Sequence, residues 1–162
     1  MRVLIIVCVI FVGSSCNDSS ENTKTEKQVD SIKQQLTQVY TPGLGEFMST
    51  IQLHHAKLWY AGINGNWELA DFEMHEIGET VEAIKQYCTD RPETKLLVQY
   101  LPSAVNGVNQ AIQQKNLQLF RERFLLLTNS CNDCHKANSF GFNVVTIPNA
   151  PPVSNQDFKK TN

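Results

Sequence analysis

The chain lacks any apolar run long enough for a membrane-spanning helix: Val3–Val12 falls well short of the roughly 20 residues a bilayer requires. It also lacks a dominant charge, with Lys and Arg numbering 14 against 16 Asp and Glu in 162 residues. No basic field for nucleic acid follows from that balance, and a weakly acidic surface says little about a protein partner. No segment before Phe142–Ile147 alternates apolar and polar residues as a strand does. A sheet-based fold is therefore not expected. Cysteines are few, at five, and no second Cys/His pair near residue 131 stands at the spacing of a four-ligand zinc site.

What the chain does contain is Cys131-Asn132-Asp133-Cys134-His135. A CxxCH run is the attachment pattern of c-type haem, in which two thiols form thioethers to the vinyl groups and the adjacent imidazole reaches the iron. A thioredoxin-like redox CxxC would need a βαβ setting, which the flanks do not offer. A chance occurrence remains the other reading, and its weight depends on whether the chain is exported.

Export is read from the N-terminus. Arg2 followed by the apolar run to Val12 has the pattern of a signal peptide. Gly13-Ser14-Ser15 then leads to Cys16 and resembles the lipobox of bacterial lipoproteins, which implies that Cys16 becomes the lipidated first residue. The chain departs from that pattern at Gly13, where a large aliphatic residue is usual; an ordinary cleaved signal with Cys16 as a passenger is the alternative. The cysteine usage follows: Cys8 leaves with the signal, Cys16 takes lipid, Cys131 and Cys134 take haem. Cys88 is left without a disulfide partner, as a small buried residue near a helix end.

Along the chain, residues 17–25 are polar without an apolar anchor and are expected as a solvated tether. Val29, Ile32, Leu36 and Val39 then recur at helical spacing and predict a short amphipathic helix, stopped at Thr41-Pro42-Gly43. A first long helix is expected from about Leu44 to Ala61, with Leu44, Met48, Ile51, His55, Leu58 and Gly62 on one stripe. After a turn at Gly62–Gly65, Asn66 is placed to cap a second helix carrying Ala70, Met74, Ile77, Val81, Ile84 and Cys88. Leu96–Leu101 predicts more helix, with Pro102 either kinking it or starting the Ala104–Ile112 stripe anew. Beyond Lys115-Asn116, the stripe Leu117, Phe120, Phe124, Leu127, Cys131 and Cys134 sets the haem motif on the last turns of a fourth helix. The fold class expected is all-α, an up-down-up-down four-helix bundle.

In that topology the first helix ends and the fourth begins at one end of the bundle. Met48 and Cys131 then stand equally far from it, about 21 Å at the helical rise, with His135 about 6 Å further. His55 is about 16 Å short of His135 and is expected as a core histidine with a partner inside the bundle. His54 points off the stripe and is expected at the surface or an edge. Met74 also fails on depth. Met48 is therefore the candidate sixth ligand; five-coordinate iron with Met48 only packed beside it is the alternative.

This arrangement resembles the class II c-type cytochromes, the cytochrome c-prime group, over about Leu44–Asn138. Some members carry a Met near the start of the first helix as sixth ligand, matched by Glu46-Phe47-Met48; others are five-coordinate and bind nitric oxide or carbon monoxide. Gln52–Trp67 and Phe140–Gln156 are also similar to exported bacterial proteins known only as cytochromes c. The resemblance implies one haem c, electron transfer rather than enzymatic chemistry, an unidentified redox partner protein and, in some relatives, a homodimer. Arg91, in a loop at the haem end, is either a propionate partner or a solvated loop residue.

The expected organisation is a signal peptide at 1–15, a lipid-anchored tether with a short helix at 16–43, the haem-binding bundle at 44–138 and an extended tail at 139–162. The membrane is engaged through the lipid on the periplasmic side. Phe140, Phe142, Val144 and Val145 are apolar enough to pack, while Pro148, Pro151 and Pro152 forbid further helix. The tail is therefore expected to fold over the haem end and restrict solvent. Deleting residues 139–162 should then shift the haem spectrum and reduction potential, and unchanged values for both would reject that placement.

Overall fold

The computed structural model describes residues 19–39 and 42–160. All regular structure among them is helical: α1 (Ser19–Val39), α2 (Leu44–Ile63), α3 (Trp67–Tyr87), α4 (Pro92–Gln113) and α5 (Leu117–Ala137). None of the described helices is long and apolar enough to cross a membrane. The signal segment 1–15 and Cys16 lie outside the described residues.

The chain divides into two units, Met1–Thr41 and Pro42–Asn162. In the first, α1 runs 21 residues and takes in Ser19–Thr25, which the sequence reading had assigned to a solvated tether. That stretch lacks an apolar stripe, but neither Gly nor Pro interrupts it, and acidic and basic residues stand at helical spacing, as Asp30 and Lys33 do further on. Val29 and Ile32 of its stripe are exposed.

In the second unit α2 packs most closely on α3, and α4 on α5, while α3 also meets α4 and α2 meets α5. The result is a ring of four helices around one interior. The two tight pairs close with the same chemistry. After α2, the Asn66 N–H reaches the Ala61 carbonyl at 3.0 Å and the Gly65 N–H reaches Gly62 at 3.1 Å; after α4, Asn116 reaches Ala111 at 3.1 Å and Lys115 reaches Ile112 at 2.9 Å. These are Schellman closures, which need a left-handed residue. Gly65 (φ 68°) and Lys115 (φ 51°) supply it. The next residue in each case caps the following helix: Asn66 Oδ1 accepts from the Leu69 N–H and Asn116 Oδ1 from the Leu119 N–H. Gly62 and Ile63, expected in the turn, are still helical.

The core is made of the predicted stripes, with Leu58, Ala61, Ala70, Ile84, Val108, Ala111, Phe120 and Phe124 fully enclosed. Gly62 is there for close approach: a Cβ on it would overlap the Phe120 ring. Phe120 also meets Trp67 edge-on at 6.0 Å, and Trp59 leans on Phe124 at 4.9 Å. Pro102 neither breaks nor restarts its helix; α4 passes through it. Pro102 and Val98, whose carbonyl loses its N–H partner, are both exposed, so water can serve that carbonyl.

One buried carboxyl group stands out. Glu73 of α3 is fully enclosed, with Oε2 at 2.6 Å from His54 Nδ1 and Oε1 without a partner. Of the two placements expected for His54, the surface or an edge, it takes the edge: its side chain is only 13 % exposed and bridges α2 to α3, with Glu76 at 3.9 Å. The sequence carried a signal for Glu73: it stands three residues after Ala70 and four before Ile77, on the inner stripe.

The tail has no strand among the described residues. Phe140, Phe142 and Val144, expected to pack, are exposed. Of the residues expected to pack only Val145 is half-buried, joined by half-buried Ile147 and by Phe158, which is buried against Tyr60 at 5.6 Å. Asn66 also donates to the Lys159 carbonyl at 3.2 Å, so the tail runs from beside His135 to the α2–α3 turn and does not stay at one end.

Removing one partner of a buried hydrogen-bonded pair leaves the other unsatisfied, whereas replacing both by hydrocarbons of similar volume does not. His54→Ala is expected to lower the unfolding free energy in urea by about 1–3 kcal/mol, and the double replacement His54→Leu with Glu73→Met to leave it unchanged or raise it. A loss in the double variant as large as in His54→Ala would show that the pair is net stabilising.

Candidate haem site

Cys131, Cys134 and His135 sit on the last two turns of α5. Spacings of three and four residues bring all three to one face of the helix. That face borders a cavity of about 360 Å³, whose other walls are Met48, Ile51 and His55 of α2, Leu97 and Leu101 of α4, and Phe140, Asn143 and Val145 of the tail. The volume lies in the range of ligand pockets, roughly 300–1,000 Å³, and the walls are mainly apolar with few polar groups. Among the described residues, no group of three or more His, Cys, Asp or Glu side chains is placed to hold a bare metal ion.

His135 has a defined tautomer. Its Nδ1 lies 2.7 Å from the Asn143 carbonyl oxygen. A carbonyl can only accept, so Nδ1 carries the proton, and Nε2 is the nitrogen that can offer a lone pair. The backbone makes this contact possible through a third Schellman closure: Ser139 takes φ 65°, its N–H reaches Lys136 at 3.1 Å, and the Phe140 N–H reaches the His135 carbonyl at 2.7 Å. The chain then turns back along α5.

Both thiols are protonated at neutral pH. Burial, and then the neighbouring Cys134, push the Cys131 thiol up to about 11. Burial raises Cys134 as well, against the pull of the Asn138 amide 3.5 Å from its sulfur. A dithiol redox site depends on a stabilised thiolate, and this pair has the reverse. The described cysteines are all free, and Cys88 is buried at the end of α3 beneath the Thr94 hydroxyl, which donates to its carbonyl at 2.7 Å.

Met48 is half-buried and borders the cavity, as does His55. The depth count had set His55 about 16 Å from the level of His135. Counting along one axis treats the site as a point, whereas a cavity of this size spans more than one turn of α2. His55 is enclosed and committed: Thr128 donates its hydroxyl to the Phe124 carbonyl at 3.0 Å, so it must accept from His55 Nε2–H at 2.9 Å. The His55 ring also lies 4.4 Å from that of Phe124. Burial lowers its pKa to about 4, which keeps it neutral. Met74 is buried but does not line this cavity.

Arg91 stands on the cavity rim, exposed, with its guanidinium on Glu93 at 3.2 and 3.3 Å. The Glu93 carboxyl is held below its usual range by a hydrogen bond from its own backbone and by Arg91. Sequence reasoning missed the roles of Asn138, whose amide reaches the Cys134 sulfur, of Asn143, whose carbonyl meets His135, and of Asn132, which is bonded to Val145 of the tail. Only the crowding of Asn around residues 129–143 pointed to them.

The residues present fit a haem: two protonated thiols, an imidazole with its lone pair on Nε2, and Met48 on a second helix all border one apolar cavity. No family model, curated protein or solved structure matches this chain.

The low pKa of His55 has a pH consequence. Between pH 6.5 and 4 the unfolded chain takes up a proton that the folded chain refuses, so stability falls as pH drops through that window. The loss reaches about 3 kcal/mol. His55→Gln, neutral throughout, should remove that part of the decline when unfolding free energies at pH 7 and pH 4 are compared, and an unaltered decline would contradict it.

Proposed function

We propose that the chain is an exported monohaem c-type cytochrome of the class II kind that carries single electrons. Cys131 and Cys134 would hold the haem, His135 and Met48 would ligate its iron, and Cys16 would carry a lipid anchor on the periplasmic side of a membrane. The observation that carries this reading is the single cavity bordered by both thiols, by the Nε2-available imidazole and by Met48. An up-down-up-down arrangement of α2–α5 is supported by the contacts between α2 and α5. Residue numbers fall along α2 as they rise along α5, in the pairs Gly62–Phe120, Trp59–Phe124 and His55–Thr128.

When bound, haem supplies an iron that exchanges one electron between its ferric and ferrous states. The protein's part is positional. The protonated Cys131 and Cys134 thiols would supply the S–H groups that thioether attachment to vinyl groups requires, with no oxidant. Asn143 holds the His135 ring in the ligating tautomer, and Ile51, Leu97 and Leu101 keep water from the iron. The electron passes to an unidentified redox partner protein.

A second reading has one observation in its favour. His55 borders the same cavity and presents a fixed, neutral imidazole there, next to iron that would be five-coordinate if Met48 only packs. In that case the protein binds nitric oxide or carbon monoxide.

The two readings part on one measurement. With Met48 ligated, the ferrous protein is low-spin and takes up carbon monoxide slowly, and Met48→Ala makes it high-spin and quick to react. A wild-type ferrous form that is high-spin and binds at once would give the second reading the stronger claim. Unchanged low-spin absorption in Met48→Ala would direct attention to another ligand.

A further inference from the structure

Asn132 is one of the two variable residues inside the CxxCH run, and its carboxamide is bonded twice to a single residue of the tail. Oδ1 accepts from the Val145 N–H at 2.8 Å, and Nδ2 donates to the Val145 carbonyl at 2.9 Å. A side chain that returns both bonds of one residue imitates the exchange between paired residues of antiparallel strands. Asn132 and Val145 are both half-buried, which limits competition from water.

Two residues before Val145, the Asn143 carbonyl accepts the His135 Nδ1–H, and the Asn143 N–H closes a turn on the Phe140 carbonyl at 2.8 Å. Little apolar burial anchors this stretch, because Phe142 is 82 % and Val144 63 % exposed. The place of the Asn143 carbonyl therefore depends on the hydrogen bonds at its two sides. One side is the turn from Ser139; the other is Asn132.

We propose that Asn132 is a positioning residue for the axial imidazole: by clamping Val145 it holds the Asn143 carbonyl on His135 Nδ1 and so tunes the reduction potential of the iron. This rests on the haem reading above. A firm acceptor on Nδ1 strengthens donation from Nε2, which favours the ferric state; partners of this kind commonly change metal affinity about 10–100-fold. The motif then supplies its own outer support, since a residue between the two cysteines governs the ligand that follows them.

The test uses full-length, haem-loaded protein as wild type, Asn132→Ala, Val145→Pro and the double variant. Val145→Pro removes the donor to Asn132 without touching Asn132. Each single substitution should raise the midpoint potential, shifting the ferrous-to-ferric ratio roughly tenfold at fixed solution potential, or ~59 mV for one electron. The double variant should shift no further than the larger single one, because both break the same clamp. Amides of residues 140–146 should exchange faster in Asn132→Ala while the helical circular dichroism is unchanged. A haem-loaded Asn132→Ala with wild-type potential, or a double variant showing the sum of the single shifts, overturns the proposal and leaves the haem reading standing. Wild-type protein that takes up no covalent haem removes that reading and the proposal with it.

Discussion

The contact on which the rest of the second unit depends is the seating of the Phe120 ring against α2 at Gly62, where no Cβ fits. It brings two helix backbones close and fixes their register. One turn on, Phe124 meets Trp59 and His55; a further turn on, Thr128 bonds His55. Each successive turn of α5 is thereby matched to an earlier turn of α2, and continuing the series carries the Cys131–His135 run to the cavity that Met48 and Ile51 line. The site's place along the bundle is thus set by packing that begins about three turns of α5 before Cys131.

Register along the axis is only one degree of freedom; rotation about it is another. The adjacent residues His54 and His55 control that rotation, because consecutive positions on a helix point about 100° apart. His54 bonds Glu73 of α3, and His55 bonds Thr128 of α5. Tied to two neighbours at once, α2 cannot roll without breaking one bond or stranding a buried carboxyl group, and Met48 is held on the cavity face. Polar groups in the interior therefore select one orientation among several that apolar packing alone would tolerate.

Where periodic burial decided the structure, the sequence was readable. The stripes through Leu58, Ile77, Val108 and Phe124 placed four helices, and Asn66 announced its cap. Pro102 was ambiguous because a stripe records which side faces inward and says nothing of whether an outward carbonyl has lost its partner. The start of α1 was missed because it is helical by propensity, without an apolar face to report it. Within the site, Cys131, Cys134, His135 and Met48 were legible from motif and depth, and they border one cavity. His55 was legible as a core histidine with a partner inside the bundle, but not as a wall of the cavity, since an axial count ignores the breadth of the space. The tail was the hardest part: Val145 and Asn143 are placed by hydrogen bonds to single side chains, which leave no period in the sequence, and the more apolar Phe142 proved a poor guide to burial.

The protonated thiols also bear on how readily Cys131 and Cys134 join to each other. Two cysteines three residues apart on a helix are easily oxidised to each other, and oxidation begins from the thiolate. With Cys131 raised to about 11, only roughly one molecule in ten thousand carries that thiolate at neutral pH, about a hundredfold fewer than for an ordinary exposed cysteine. The same burial that shapes the pocket therefore leaves little thiolate to begin a disulfide between the two sulfurs.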